Sequence, residues 1–235
     1  MQAPLSLTVI AVTDLPEVNA GDDLAGMIAA AVALADGDVV VVTQKIVSKA
    51  EGRVVAVDSD DAEARRQLAE GEAVRVLRRR GDLVVTETRH GFVCANSGVD
   101  LSNMAEGFAA LLPIDPDRSA RRIRDGLRAR SGRAVGVIVS DTFGRAWRRG
   151  VTDVAIGSAG LRAIVDLRGT ADALGRTLVA TEICVVDEIA GAAELVMGKA
   201  SGVPVAIVRG LDPSVFGPGS VREDVVRPYD EDLFR

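Results

Sequence analysis

Two short runs constrain this chain more than anything else in it. Val39-Val40-Val41-Val42-Thr43 and Val135-Gly136-Val137-Ile138-Val139-Ser140 are nearly unbroken apolar, β-branched stretches. A run of that kind reads as a strand covered on both faces, because a strand with one wet face alternates. Pro204 to Val208 repeats the pattern later in the chain. Only 3% of the residues are aromatic while 48% are hydrophobic, so the core must be built mostly from Val, Ala, Leu and Ile. That balance favours sheets covered by helices over an aromatic-rich β-sandwich.

Polar residues stand where these runs end. Val135–Ser140 gives way to Asp141-Thr142, and the chain then breaks through Gly144 into Arg145, Arg148 and Arg149. Val39–Thr43 leads directly into Gln44-Lys45-Ile46-Val47-Ser48-Lys49. A third polar exit, Asn96 to Asn103, follows a short strand at Phe92 to Ala95. Asp and Thr oxygens are hard ligands for Mg²⁺ or Mn²⁺, and Arg forks match phosphate oxygens. Should the three exits converge, Asp100 and Asp141 share divalent metal, with Thr142 and Asn103 beside them. Lys45, Lys49 and the arginines would then neutralise a polyphosphate. Two carboxylates brought together without a cation repel, and one tends to protonate. The competing reading is three separate solvated loops leaving the core, and spacing alone leaves both open.

Elsewhere the pattern predicts a first strand over Leu5 to Val12, leaving through Thr13-Asp14-Leu15-Pro16, and a helix from Asp22 or Asp23 to about Ala35. Asp58 to Arg80 reads as helical with a break at Gly71, and Leu83 to Thr88 as a strand. An Arg-rich helix over Arg118 to Arg133 turns Ile123 and Leu127 inward and a solvated basic face outward. Val151 to Leu167 alternates small and branched residues, Leu178 to Ala180 reads as a brief strand, and a late helix ends at Met197. From Gly210 onward Gly, Pro and acidic residues resemble a loop or linker. The whole is a mixed α+β chain with helices flanking its sheets.

Several function classes are disfavoured. A net charge of −6 argues against broad nucleic-acid binding. Cys94 and Cys184 are far apart with no CxxC pattern, which fits a reducing cytoplasm. His90 is the only histidine, which removes most Ser–His and Cys–His schemes; it is expected to end a strand and form a surface hydrogen bond. Trp147 is expected to anchor the Arg loop by packing, and Glu182, Asp187 and Glu188 to cap the late helix or pair with arginines. There is no GxxxxGK[ST] and no convincing GxGxxG, which disfavours Walker-type and Rossmann sites. No run approaches membrane-spanning length, so a soluble cytoplasmic protein is expected.

Five motifs together resemble one family. Ser48-Lys49-Ala50-Glu51-Gly52-Arg53, Gly98-Val99-Asp100-Leu101-Ser102-Asn103, Leu112-Pro113-Ile114-Asp115-Pro116-Asp117, Ser140-Asp141-Thr142-Phe143-Gly144-Arg145 with Arg148-Arg149-Gly150, and Asp187-Glu188-Ile189-Ala190 occur in the order found in the coenzyme F420-0:γ-glutamyl ligases. Any one of these is weak, whereas five in register are specific.

The resemblance implies an α+β fold in an intertwined homodimer, with a ligase domain over 1–211 and a tail or interdomain linker over 212–235. It implies an enzyme that adds L-glutamate to coenzyme F420-0 at the expense of GTP, through an acyl phosphate, and extends a γ-linked oligoglutamate tail. Mg²⁺ or Mn²⁺ is implied, and a monovalent cation, K⁺, is compatible with it. Carried over by position, Asp100, Asp141 and Thr142 are metal ligands. Leu15, Pro16, Gln44, Lys45, Lys49, Asn103 and Lys199 are GTP contacts, and Arg145, Arg148 and Arg149 are phosphate or substrate candidates. No residue is assigned as the catalytic acid or base.

Lys199 departs from the pattern. Archaeal members resemble Met-Gly-Glu where this chain has Met197-Gly198-Lys199, and a protonated lysine cannot ligate a metal. Either the second metal has fewer protein ligands here, or Lys199 touches phosphate directly. At this point, and at Arg227 to Arg235, the chain looks similar to the actinobacterial branch, whose ligase is fused to a C-terminal flavin-reductase-like domain. Two readings from other classes remain beside the ligase. One is a non-catalytic nucleotide- or deazaflavin-binding module; the other is a metal-dependent phosphohydrolase using the same aspartates.

Overall fold

A computed structural model describes residues 6–232. Leu5 and the terminal Leu233-Phe234-Arg235 of the sequence reading lie outside those residues. The chain opens with strand β1 (Thr8–Val12), helix α1 (Leu24–Ala31) and strand β2 (Val39–Thr43). Asp23 caps α1, its carboxylate accepting the Gly26 N–H at 3.1 Å. The helix stops at Ala31, short of the expected Ala35, where Val32 turns extended.

Helix α2 (Gln44–Ala50) follows β2 without a connecting residue. The sequence reading took this segment only as a polar exit. It is helical because Ile46, Val47 and Ser48 are buried while Lys45 and Lys49 lean outward, an amphipathic turn too short to show as a period. Next come β3 (Val54–Ala56), α3 (Ala62–Gly71), β4 (Ala73–Arg80), β5 (Leu83–Thr88), β6 (Val93–Ala95) and β7 (Phe108–Ala110). Residues 73–80 are thus a strand where a helix was expected beyond Gly71. Their pairing with β5, interrupted by two register shifts, overrides the helix propensity of the arginines.

Helix α4 (Pro116–Ser131) places Ile123 and Leu127 inward and ends on Gly132 in the left-handed conformation. Strand β8 (Gly136–Gly144) continues through Asp141 and Thr142 instead of ending there, because β9 (Val151–Ala159) pairs with it in an antiparallel arm out to Gly144 and Val151. The remaining elements are β10 (Ile164–Asp166), β11 (Glu182–Cys184), α5 (Val185–Met197) and β12 (Val205–Arg209). Leu178 to Ala180 is not a strand; the pairing falls on Glu182–Cys184.

The main sheet has the order β1-β12-β2-β8-β9, with β2 and β8 its only parallel pair. Val39 to Val42, Val137 to Val139 and Val205 to Val208 are all fully buried, as their unbroken apolar runs require. Helices α4 and α5 supply much of the cover. The approach of α4 is close: a Cβ on Gly157 of β9 would lie 2.3 Å from the Pro116 carbonyl carbon, so only glycine fits.

Three further expectations are corrected. The segment after Gly210 is irregular but belongs to the body, with Val215 and Val221 in the core; four donors from Ser158, Ser220, Val221 and Arg222 converge on the buried Asp117 carboxylate. Composition could not show that clamp. His90 is buried, its Nε2 facing the Pro113 and Ile114 carbonyls and its ring stacked on Phe92. Trp147 is 88% exposed at the tip of the β8–β9 arm, with φ at +64°, because the extended arm carries it away from the core.

Candidate active site

The parallel pairing of β2 and β8 ends at Thr43 opposite Ser140, where β2 stops and β8 runs on. Ligands gather beyond the carboxyl ends of parallel strands, where loops and helix starts diverge. Here a cleft is lined by Gln44, Lys45 and Lys49 of α2, Asp100 and Asn103 of the segment between β6 and β7, Ser140, Asp141 and Thr142 of β8, Asp153 of β9, and Glu194 and Lys199. The three polar exits of the sequence meet in one place.

Each side chain has a local reason for its position. Asp100 is held by paired backbone hydrogen bonds with Ala110, and the adjoining Leu111 carbonyl lies 2.6 Å from the Ser48 hydroxyl of α2. Ser48 Oγ also lies 2.9 Å from the Gln44 amide. That contact is to Gln44 Oε1, and the one hydroxyl hydrogen serves either it or the Leu111 carbonyl, so Ser48 ties the start of α2 to the strand beside Asp100. Asn103 adopts a left-handed φ of +52°, a conformation asparagine tolerates, and its Nδ2 donates to the Lys199 carbonyl at 3.1 Å.

Along β8 the register skips a residue of β9 between Val139 and Ser140. This bulge sits beside the cleft and re-aims the side chains that follow it. The Asp187 carboxylate of α5 accepts the Ala155 N–H at 2.9 Å and so secures the bulge. Asp187 therefore supports the sheet rather than pairing with an arginine; of the three acids in that group, Glu182 does pair, with Arg168 at 3.1 Å.

Charge is unevenly settled. Lys45 Nζ is 2.9 Å from Asp100 Oδ2, and Ser102 donates to Asp100 Oδ1 through both N–H and hydroxyl. Burial works against ionisation of Asp100, but the Ser102 and Lys45 hydrogen bonds with the Lys45 charge hold its pKa below the ordinary value. Asp141 is the opposite case. Burial pushes it up to about 7, the Asp100 and Asp153 charges add to that, and the Thr142 N–H and the Lys199 charge do not offset it. Glu194 is also raised, by burial and then by Asp153.

Asp153, Glu194 and Glu17 were missed by the sequence reading. Asp153 is buried, accepting from the Thr142 hydroxyl at 2.7 Å and from Ser140 at 2.9 Å. The signal for it was the β8–β9 register, which sets Thr142 opposite Asp153. Glu17 pairs with Lys49 at the cleft edge. Leu15 packs against the core and Pro16 is exposed; neither lines the cleft, although Glu17 just after them does. Arg145, Arg148 and Arg149 are exposed at the tip of the β8–β9 arm and do not line it either, because β8 runs on and carries them outward.

Among the described residues no group of three His, Cys, Asp or Glu side chains converges on one point. Asp100, Asp141 and the Thr142 hydroxyl are nonetheless a donor set of hard oxygens. Such a set suits Mg²⁺ or Mn²⁺, which commonly takes one or two carboxylates and completes its shell with phosphate oxygens and water. The under-compensated Asp141 fits a cation for the same reason.

Comparison with known proteins gives the family. Residues 13–210 match the family model described as F420-0:Gamma-glutamyl ligase. The chain is 42% identical to the coenzyme F420:L-glutamate ligase of Methanothermobacter thermautotrophicus, over 98% of this chain and 100% of that protein. It is 43% identical to the protein of the same name in Methanopyrus kandleri, over 93% and 94% of the two chains. For the one in Archaeoglobus fulgidus the identity is 39%, over 98% and 97%. With a match of that extent, the chain belongs to the F420-0:γ-glutamyl ligase family.

Proposed function

We propose that this protein joins L-glutamate to coenzyme F420-0 with consumption of GTP and extends the product by γ-linked glutamates. The observation that carries the proposal is the meeting of Asp100 and Asp141 with Lys45, Lys49 and Lys199 in one cleft. A carboxylate is a poor acylating agent, so forming an amide from it requires activation. The acceptor carboxylate attacks the γ-phosphorus of GTP, giving an acyl phosphate and GDP. The glutamate amine then attacks the acyl carbon, phosphate leaves, and the amine proton passes to solvent.

The difficulty in the first step is repulsion between an anionic nucleophile and an anionic triphosphate. Lys45, Lys49 and Lys199 lower that repulsion, as the lysines of phosphoryl-transfer sites do. Asp100, Asp141 and Thr142 are the residues that would hold Mg²⁺ or Mn²⁺, which when bound supplies further charge neutralisation. Gln44 and Asn103 line the same space and orient the nucleotide. We take the working unit to be a homodimer in the cytoplasm; the exposed arginines of the β8–β9 arm, outside their own cleft, are available to a partner's.

Mass spectrometry of the deazaflavin after incubation with GTP, Mn²⁺ and glutamate tests the reading. Added glutamyl units, with GDP formed only when glutamate and acceptor are both present, are expected. GTP loss without acceptor would point to a phosphohydrolase instead, and tight GTP binding without turnover to a binding module.

A further inference from the structure

Lys199 Nζ lies 3.2 Å from Thr142 Oγ1. The single hydrogen of that hydroxyl is given to Asp153, so the ammonium faces the oxygen's lone pairs. Lys199 Nζ is also 4.0 Å from Asp100 Oδ2, the oxygen that Lys45 holds at 2.9 Å. These are the lone pairs a divalent ion needs, at about 2.1 Å from the metal for Mg²⁺. An ammonium and a divalent cation repel strongly at about 4 Å in a cleft of reduced dielectric. At Thr142 Oγ1, whose hydrogen is committed to Asp153, the two compete for the same lone pairs.

The two lysines differ in freedom. Lys45 is 13% exposed and is tied to the Ser102 hydroxyl at 3.0 Å and to the Ser102 carbonyl. The Lys199 side chain is 56% exposed and the bond to Thr142 is its one hydrogen bond among the described residues. Its backbone carbonyl is pinned by Asn103, and Gly198 before it has a positive φ. The backbone is fixed while the ammonium can swing.

We infer that Lys199 is an exchange residue: its ammonium leaves Thr142 when a divalent ion takes the lone pairs it faces there, and is received by the triphosphate that arrives with the ion. The inference rests on the GTP- and metal-dependent reading above and adds a coupling to it. Metal alone must expel an ammonium that has nowhere as good to go. Metal with nucleotide supplies the new partner. Each ligand then tightens the other by the same factor, as linkage requires.

Equilibrium dialysis of Mn²⁺ against the whole chain, with and without a non-hydrolysable GTP analogue, tests this. In the wild type the analogue is expected to tighten Mn²⁺ retention by about tenfold or more, within the usual range of coupling between sites. In Lys199→Met, Mn²⁺ alone binds about tenfold tighter and most of the gain from the analogue disappears. Lys49→Met is the control, since it removes one charge from the same cleft while Lys49 contacts Glu17 and not Thr142 or Asp100. Equal effects of both substitutions on Mn²⁺ alone would reduce the exchange to a general field effect and overturn it. Unchanged Mn²⁺ affinity in Lys199→Met would do the same. If the wild type retains no Mn²⁺ even with the analogue, the metal–nucleotide reading falls, and the inference with it.

Discussion

Asp38 and Asp141 lie at opposite ends of the parallel pair β2 and β8, and their carboxylates are treated in opposite ways. At one end Asp38 is fully buried and takes both forks of Arg209, at 2.7 Å each, plus the Ala35 N–H. Its backbone carbonyl accepts the Gly136 N–H and so ties β8 to β2. At the other end Asp141 receives one N–H, from Thr142, and faces the charges of Asp100 and Asp153. A buried acid whose lone pairs are all used by its own chain holds a fold together. One left short of positive charge inside a cleft is kept for something that arrives later. Asp117, with four donors, belongs with Asp38.

The contrast is broken most directly at Asp141. Asp141→Asn should lower turnover about a thousandfold, the scale at which removal of one electrostatic partner of a transition state is felt. It should not lower stability. Its pKa in the fold, about 7, lies above the ordinary carboxylate value of 3.8, so the ionised side chain is disfavoured by folding. Its stabilising share is present below about pH 4 and lost as pH rises through 7. At pH 8 the neutral amide is therefore expected to melt at the same temperature as the wild type or higher. Initial rates and a thermal melt on the same preparation check both halves, and a variant that loses activity by unfolding would erase the distinction between the two ends.

Asp38→Asn is the mirror experiment. It should cost about 2 kcal/mol, from weakened hydrogen bonds to a charged partner and to the Ala35 N–H. The rate per folded molecule should stay near that of the wild type, because nothing at this end of the sheet touches the cleft. Denaturant midpoints together with kcat measured well below the melting transition separate the two quantities.

The sequence showed the central strands because full burial on both faces leaves a mark in composition that local pairing cannot imitate. Val39 to Val42 and Val137 to Val139 are where the reading placed them. It showed Asp141 and Thr142 as candidates because their hard oxygens stand directly after a buried run, and Asp100 because it lies in the polar stretch that follows the strand ending at Ala95. What it could not show depends on pairing between distant residues. Asp153 is an ordinary acid until the β8–β9 register sets it against Thr142. The strand at 73–80 reads as helix until β5 claims it. The arginines at 145–149 looked adjacent to Asp141 in sequence, but a strand rises more than 3 Å per residue, so a few more paired residues move them out of reach. The family's motifs found Asp100 and Asp141 but not Asp153, Glu194 or Glu17 of the same cleft, and could not say which acids the fold itself satisfies.

Asp117→Asn extends the contrast to the C-terminal segment. Replacing one carboxylate oxygen by an NH₂ leaves donors of Ser158, Ser220, Val221 or Arg222 facing a donor, at a cost of about 1–2 kcal/mol. The loss should be local, read as faster amide exchange over 220–226 with β2 and β8 still protected. Uniform acceleration across the sheet would mean the segment and the core unfold as one.

The smallest effect expected is that of His90, a buried titratable group away from the cleft. Burial lowers its pKa first of all, and the Arg89 and Arg222 charges add to this, although the Pro113 and Ile114 carbonyls oppose it. A depressed histidine binds fewer protons folded than unfolded around and below the ordinary imidazole value of 6.5, so its neutral form contributes stability above that pH. The contribution is lost as pH falls from 6.5 through the folded value. Melting temperatures from pH 8 to pH 5 should therefore fall less in His90→Gln than in the wild type, after subtraction of each protein's value at pH 8. Gln is a suitable replacement because its NH₂ can still donate to the Pro113 carbonyl, which leaves the proton as the main difference. Parallel curves would show that the imidazole titrates alike in both states, and that its burial is offset in full by the two carbonyls.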